Sequence, residues 1–418
     1  MSAELLVRAK AGDGEARMEL ARAASRAGKR AEADHWIAEA AATGLPAAQF
    51  QTGIWKLIGH RGARDVDGGL AIIRAAAAAG EAQANTMLSA LAVAPTAPAR
   101  DWSAAARLLC DAAAGHDPRA LLQLALLLPA DRKWRETRIS LADRAAGKGN
   151  PPALYFAGRW LLEDGGQESQ ALARLALAAN NGEPNALKLL RGRRAPAAET
   201  ASPVFELTDL NWSRIASALQ WPHERPLPQP VARNAAPRVV TLNRLLSADE
   251  CDYVVSRGAP FLKPAPGLAS SAMPFGPIET DTLIESLDER LCRALGTDAR
   301  HAEPLAMLHD RPGQAGALLT DWIDPAQPGG AAEIAARGQR KRSLMLALND
   351  GYDGGETAFP RLGWRFKGKR GDALIWSSTT DDGALDPKAV YEMTPPRLTD
   401  RLVLVKRLRD RDQTEGRP

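Results

Sequence analysis

The sequence predicts an α + β chain in two parts. The first is an N-terminal α-solenoid of helical hairpins. The second is a C-terminal double-stranded β-helix, a jelly-roll variant with flanking helices. Three observations carry this prediction. A self-similar phrase recurs through the first half at near-constant spacing. The second half turns to helices followed by short apolar runs, with Gly-, Asp- and Pro-rich turns between the runs. Periodicity stops at the join, where prolines accumulate. A chain of 418 residues has room for two or three domains. A hydrophobic content of 45% is enough to give each of them a core.

The repeated phrase begins at Ala41, Ala77, Ala112, Ala145 and Ala178. Aligning it on Ala48, Ala84, Ala120, Ala153 and Ala186 gives steps of 36, 36, 33 and 33 residues. A period of that size means stacked helical hairpins, each burying a face on its neighbours. Within units the apolar spacing is helical, as at Leu121, Leu124 and Leu127 or at Leu154, Ala157 and Leu161. Small residues let the paired helices approach closely. Over about residues 10–192 the pattern resembles Sel1-like repeats, a branch of the tetratricopeptide class. Arg64, Asp65, Val66 and Asp67 keep the best trace of that family's loop. Stacked hairpins present a surface for a protein or peptide partner, and the competing reading is a spacer or a lid on the second domain.

Bulk properties exclude several classes. A net charge of +4 spread over this length is too mild to argue for nucleic acid. Cys110, Cys251 and Cys292 are widely spaced and odd in number, which fits a reducing compartment rather than a disulfide frame. The first residues carry no apolar signal-peptide core, and no run approaches a membrane span. We expect a cytoplasmic protein with no nucleic-acid or membrane partner.

We expect the repeat domain over 1–192, a Pro-rich linker over 193–238, the β domain over 239–410 and a polar tail over 411–418. Phe205 to Leu219 reads as one amphipathic helix, and Trp221 to Arg238 is extended by its prolines. Val239 to Leu246 reads as a strand. Ser247 then opens a helix with Glu250 three residues on, a capping box. Ile278 to Leu295 is a second helix ending at Gly296. Short strands follow over Leu305 to His309, Ser343 to Leu348, Asp372 to Ser377 and Leu402 to Leu408. Helices followed by short strands suit two sheets packed face to face.

The stretch GQRKRSLMLALNDGYDGGETAFP, Gly338 to Pro360, organises this half. Its order of basic lead, apolar strand, Gly turn and GGET-x-FP resembles the core of prolyl 4-hydroxylase-like 2-oxoglutarate/Fe(II) dioxygenases. The resemblance covers about Val239 to Arg409 and implies Fe(II) and 2-oxoglutarate as cofactors. It also implies a metal site of two histidines and one carboxylate. Counted from Pro312-Gly313-Gln314, the first histidine slot holds Leu319 and the carboxylate slot holds Asp321. The segment Asp386 to Pro395 matches the family's second histidine motif without a gap, and the histidine slot holds Tyr391. The lysine that grips the 2-oxoglutarate carboxylate is replaced by Arg401, which can do the same work bidentately. Asp310 occupies the slot of a family tyrosine.

No histidine follows His309, so no local realignment restores a ligand. One carboxylate alone is too few for useful iron affinity. Each candidate also has an ordinary reading. Asp321 beside Trp322 reads as a solvated turn residue, and Tyr391 as a buried tyrosine with a partner. His309 and Asp310 point to opposite faces of a strand. Arg340, Lys341 and Arg342 read as a solvated rim. Two functions remain. One is an iron-deficient jelly roll serving as a protein- or peptide-binding or regulatory module recruited through the repeats. The other is an active dioxygenase acting on a protein or prolyl peptide with an atypical metal set of Asp310, Asp321 and Tyr391. A histidine arriving from elsewhere, His35, His60, His116 or His223, would favour the second.

Overall fold

The computed structural model describes residues 3–163, 165, 167–193, 209–264, 270–313 and 318–414. Residues 205–208 of the amphipathic stretch, Gln314 and residues 415–418 of the tail lie outside the described residues.

The first half is helical throughout: α1 (Ala3–Lys10), α2 (Gly14–Arg26), α3 (Arg30–Ala41), α4 (Pro46–Ile58), α5 (Val66–Ala78), α6 (Ala82–Leu91), α7 (Trp102–Ala114), α8 (Pro118–Leu127), α9 (Arg135–Gly147), α10 (Pro151–Glu163), α11 (Glu168–Asn180) and α12 (Ala186–Leu190). The five alanines that set the repeat register, from Ala48 to Ala186, are all completely buried. So are Ala40, Ala76, Ala112, Ala145 and Ala178 on the preceding helices. A larger side chain there would push the helices apart. Gly158 shows how tight the crossing is, since a Cβ built on it would lie 2.9 Å from the Ala171 carbonyl oxygen. Asp13, Asp65, Asp101 and Asp117 each cap a helix by accepting from the backbone N–H three residues on. The trace kept at Arg64–Asp67 is therefore a helix start.

A short helix, α13 (Trp212–Ala216), leads into β1 (Val231–Asn234) and β2 (Val239–Leu242). Then come α14 (Ala248–Gly258), β3 (Lys263–Pro264), β4 (Ser271–Pro274), α15 (Thr282–Leu295), β5 (Ala306–Asp310), β6 (Leu318–Leu319), α16 (Gly330–Arg337) and β7 (Arg340–Ala347). The chain closes with β8 (Thr357–Phe359), β9 (Trp364–Phe366), β10 (Ala373–Ser377), β11 (Tyr391–Met393) and β12 (Arg401–Arg409). Among the described residues these strands form two sheets, ordered β1-β2-β10-β7-β12-β5-β4-β3 and β6-β11-β8-β9. Pairing is antiparallel throughout. The inner cluster between the sheets holds Leu308, Met345, Phe359, Trp376, Tyr391, Val403 and Val405.

Several expectations change. The capping box is present, with Ser247 accepting from Glu250 N–H and Glu250 from Ser247 N–H. The α15 helix starts at Thr282 rather than Ile278, because Asp281 caps it by accepting from Ile284 N–H. The stretch read as an extended Pro-rich strap is built in at both ends: Trp221 is buried, Pro222–Glu224 form a short 3-10 helix, and β1 pairs with β2. The triplet Arg340–Arg342 is not a solvated rim. Arg340 Nε donates to Glu303 at 2.6 Å and Arg342 to the Leu295 carbonyl at 2.6 Å. Among the described residues no helix is long and apolar enough to cross a membrane.

The two halves share one core, running from Leu109 and Phe156 through Tyr253 and Leu287 to Leu404. The α14 helix supplies the polar seam. Asp252 accepts from Tyr155 at 2.6 Å, Arg159 at 2.7 Å and Arg370 at 2.9 Å, and Asp249 accepts from Arg138 at 3.0 Å. A buried carboxylate is tolerated only with such donors. Much of the repeat surface is thus committed to the β domain.

Candidate functional site

The site follows from the alternation of β12. Arg401, Val403, Val405 and Arg407 point between the sheets, while Leu402, Leu404 and Lys406 point towards α15. The inward face carries a guanidinium at each end.

At one end, Arg401 is directly opposite Asp310 on β5 and donates to its carboxylate at 3.2 Å. Its other terminal nitrogen donates to Thr357 Oγ1 at 2.8 Å and contacts Met345 Sδ at 3.0 Å. Ser270 donates to the second oxygen of Asp310. Arg401 is 2% exposed, so its ion pair is screened little by solvent. Thr357 is the threonine of GGET, and the two glycines before it explain the motif. Gly354 and Gly355 both have positive φ, 71° and 65°. A Cβ on Gly355 would meet the Tyr352 ring at 2.8 Å, and one on Gly354 the Pro395 carbonyl oxygen at 2.6 Å. Only glycine lets the turn deliver Thr357 to Arg401. His309, the strand neighbour of Asp310, turns the other way and meets Asp400 at 2.8 Å, as alternation requires.

At the other end, Tyr391 on β11 and Leu319 on β6 are cross-strand partners. Asp321, two residues beyond Leu319, is 3% exposed, which corrects its reading as a solvated turn residue. It is buried because Arg407 Nε donates to it at 2.6 Å. Burial pushes the Tyr391 phenol up, and the neighbouring Asp321 carboxylate adds to this. The Arg407 guanidinium beside the phenol works the other way. Burial lowers the Arg407 pKa, but Asp321, Tyr391 and Glu303 together outweigh it and the net shift is upward, so this cation stays charged. Ser343 lies opposite both Arg407 and Trp376 in the sheet. Ser343 Oγ, Trp376 Nε1 and Asp321 Oδ2 are buried without a hydrogen-bond partner.

The predicted residues therefore fall in two groups: Arg401 with Asp310, and Asp321 with Tyr391 and Leu319. Asp310 pairs with Arg401 instead of joining Asp321 and Tyr391 in a metal set. The histidines named as rescuers lie elsewhere. His60 meets Asp34 at 2.8 Å, and His223 meets Ser286 at 2.9 Å and stacks on Trp102. His35 packs on Trp36, and His116 sits in the α7–α8 turn. Among the described residues no three His, Cys, Asp or Glu side chains are grouped to hold a metal. The residue the sequence reading missed is Arg407. The signal was available: Arg407 is six residues from Arg401 on one strand, an even offset that puts both on the same face.

No family model matches the chain. By sequence, 209 residues are 24% identical to the protein described as probable prolyl 4-hydroxylase 9 of Arabidopsis thaliana, over 43% of this chain and 71% of that protein. By structure, the chain resembles the viral collagen prolyl hydroxylase of Paramecium bursaria Chlorella virus-1, solved as a 2OG complex. That likeness has a TM-score of 0.33 and 21% identity and covers 41% of this chain and 94% of that one. A Sel1 repeat protein of Oxalobacter formigenes is similar over 46% of this chain and 83% of its own, with a TM-score of 0.35 and 24% identity. The chain is thus similar in sequence to prolyl 4-hydroxylases over about half of its length. The part before the β domain is an array of helical hairpins, α1 to α12.

Proposed function

We propose that the C-terminal domain is an iron-free form of this oxygenase fold and that the whole chain works as a protein- or peptide-binding module. The observation that carries the reading is the Arg407–Asp321 ion pair. On this reading Leu319 and Tyr391 hold the two histidine positions and Asp321 the carboxylate position. The donor set does not fit ferrous iron. Leucine offers no donor atom, the phenol resists ionisation, and the carboxylate already faces a guanidinium. A dication at about 4 Å from that guanidinium is opposed by about 8 kcal/mol at an effective dielectric near 20. The cosubstrate end supports the same reading. Asp310 presents to Arg401 the carboxylate that 2-oxoglutarate would bring. Each charged ligand of the ancestral site is thus replaced by a side chain of the same sign.

The binding function falls to the repeats and the edge of the β domain. A groove of about 390 Å³ runs along them, with Phe50, Trp55, Arg30 and Arg119 on the repeat side and Ile278 on the other. Its charged lining is mixed, with Asp117 and Asp281 beside Arg30 and Arg119, and its half-buried Trp55 offers one aromatic anchor for a peptide. The test is anaerobic reconstitution with Fe(II), followed by metal analysis and a succinate assay with 2-oxoglutarate. We expect substoichiometric iron and no succinate. One iron per chain with turnover of 2-oxoglutarate would refute the reading.

A further inference from the structure

On the opposite face of β12 lies a chamber that the proposed function does not use. It has a volume of about 180 Å³ and sits between the halves of the molecule. Ala94 and Pro95 wall it from the repeat side, and Phe275 and Leu305 from the β domain. The floor is charged. Lys406 is 1% exposed, with Nζ 2.7 Å from Asp288 Oδ2 and 2.6 Å from Asp288 Oδ1. Asp288 is itself buried, with both of its oxygens against Lys406. Glu285, one helical turn before Asp288, also faces the chamber and accepts one hydrogen bond, from Thr280 at 2.8 Å.

These groups do not balance. Two carboxylates face one ammonium, and that ammonium is taken up by Asp288. Arg100 is the other cation near Glu285, and it is paired with Glu289. The consequence shows in the Glu285 carboxyl, which burial and then the Asp288 charge push up to about 7. Lys406 and Arg100 pull it down without offsetting this. An apolar chamber with an uncompensated carboxylate at its floor is one positive charge short.

We propose that the chamber binds a small primary alkylammonium, its nitrogen on Glu285 and its hydrocarbon body against the apolar walls, away from Lys406. The space holds on the order of ten water molecules, which limits the ligand to a similar number of heavy atoms. Because both halves supply walls, the bound amine would bridge the repeats and the β domain.

The test is calorimetric titration of the full chain with n-hexylammonium at pH 8, beside n-hexanol and hexanoate as neutral and anionic probes of equal length. We expect one saturable site for hexylammonium, with the other two at least tenfold weaker. Affinity should rise about tenfold between pH 6 and pH 8 as Glu285 ionises. Glu285→Gln should weaken binding at least tenfold while the protein stays folded. Ala94→Trp fills the chamber from the repeat side and should abolish binding, with the thermal melt checking its fold. The proposal is overturned if wild type shows no saturable binding, if hexanol or hexanoate binds as tightly, or if Glu285→Gln binds hexylammonium like wild type.

Discussion

The two faces of β12 share one backbone and treat charge in opposite ways. Inward, Arg401 and Arg407 are each matched by a carboxylate from a neighbouring element, and the space between them is filled by Val403, Val405, Met345 and Tyr391. Outward, Lys406 is matched by Asp288 but Glu285 is left without a cation. The inward cations are paired, although Ser343 Oγ, Trp376 Nε1 and Asp321 Oδ2 there lack a hydrogen-bond partner. An unmatched charge beside an apolar chamber is an open site. On the function proposed above, the inward face, where a metal position would lie, is the face less able to take up a cation.

The largest effect should come from unbalancing the inward face. Arg407→Leu leaves Asp321 buried without its counter-ion and should cost about 3–5 kcal/mol in urea unfolding. Arg407→Leu with Asp321→Leu should recover most of that loss. A single variant costing under about 1 kcal/mol would show that Arg407 does not neutralise Asp321. Next comes the seam that holds the two halves together. Asp252→Ala removes the acceptor of Tyr155, Arg159 and Arg370 and should cost about 3 kcal/mol. Its thermal melt should separate into two steps, one for each half; a single unshifted transition would show that the seam is not needed.

The faces should also answer pH with opposite sign. Glu303, near the end of β12, is raised by burial. Arg340 and the neighbouring arginines outweigh this and hold its carboxyl at about 2. A lowered folded pKa gives stability that is present above about 4.5 and lost as pH falls towards 2. Glu285 is the reverse. Its folded pKa near 7 lies above the ordinary 4.5, so its contribution is full below 4.5 and lost as pH rises through 7. Glu285→Gln should therefore be more stable than wild type at pH 8, by roughly 1–2 kcal/mol after discount for its partial exposure, and equal to it at pH 4. Equal stability at both values would mean that the outward charge is balanced after all. The smallest effect is local: Ser247→Ala removes one half of the capping box and should cost about 1 kcal/mol.

The repeat register was legible because alanine is forced wherever two helices cross closely, and the five aligned alanines are all fully buried. The long strands of the larger sheet were legible as apolar runs. The smaller sheet was not, because β6, β8, β9 and β11 span only two or three residues, too few for alternation to show. At the site, Asp310 and Arg401 were found through the motif, and their pairing followed from charge. Arg407 lay inside the expected strand Leu402 to Leu408 but was not singled out as a site residue. The even offset from Arg401 marks its face, but its partner Asp321 comes from beyond β6 and is not named by the strand. The seam was hidden for the same reason, since Asp249 and Asp252 look like the polar face of an amphipathic helix.

The most direct test of the central claim is anomalous diffraction from a crystal grown with excess Mn(II), a redox-silent stand-in for Fe(II), and 2-oxoglutarate. The account predicts the Arg407 guanidinium in density against Asp321 and no metal peak within bonding distance of that carboxylate. A metal peak on Asp321, with Arg407 swung aside and 2-oxoglutarate on Arg401, would contradict it.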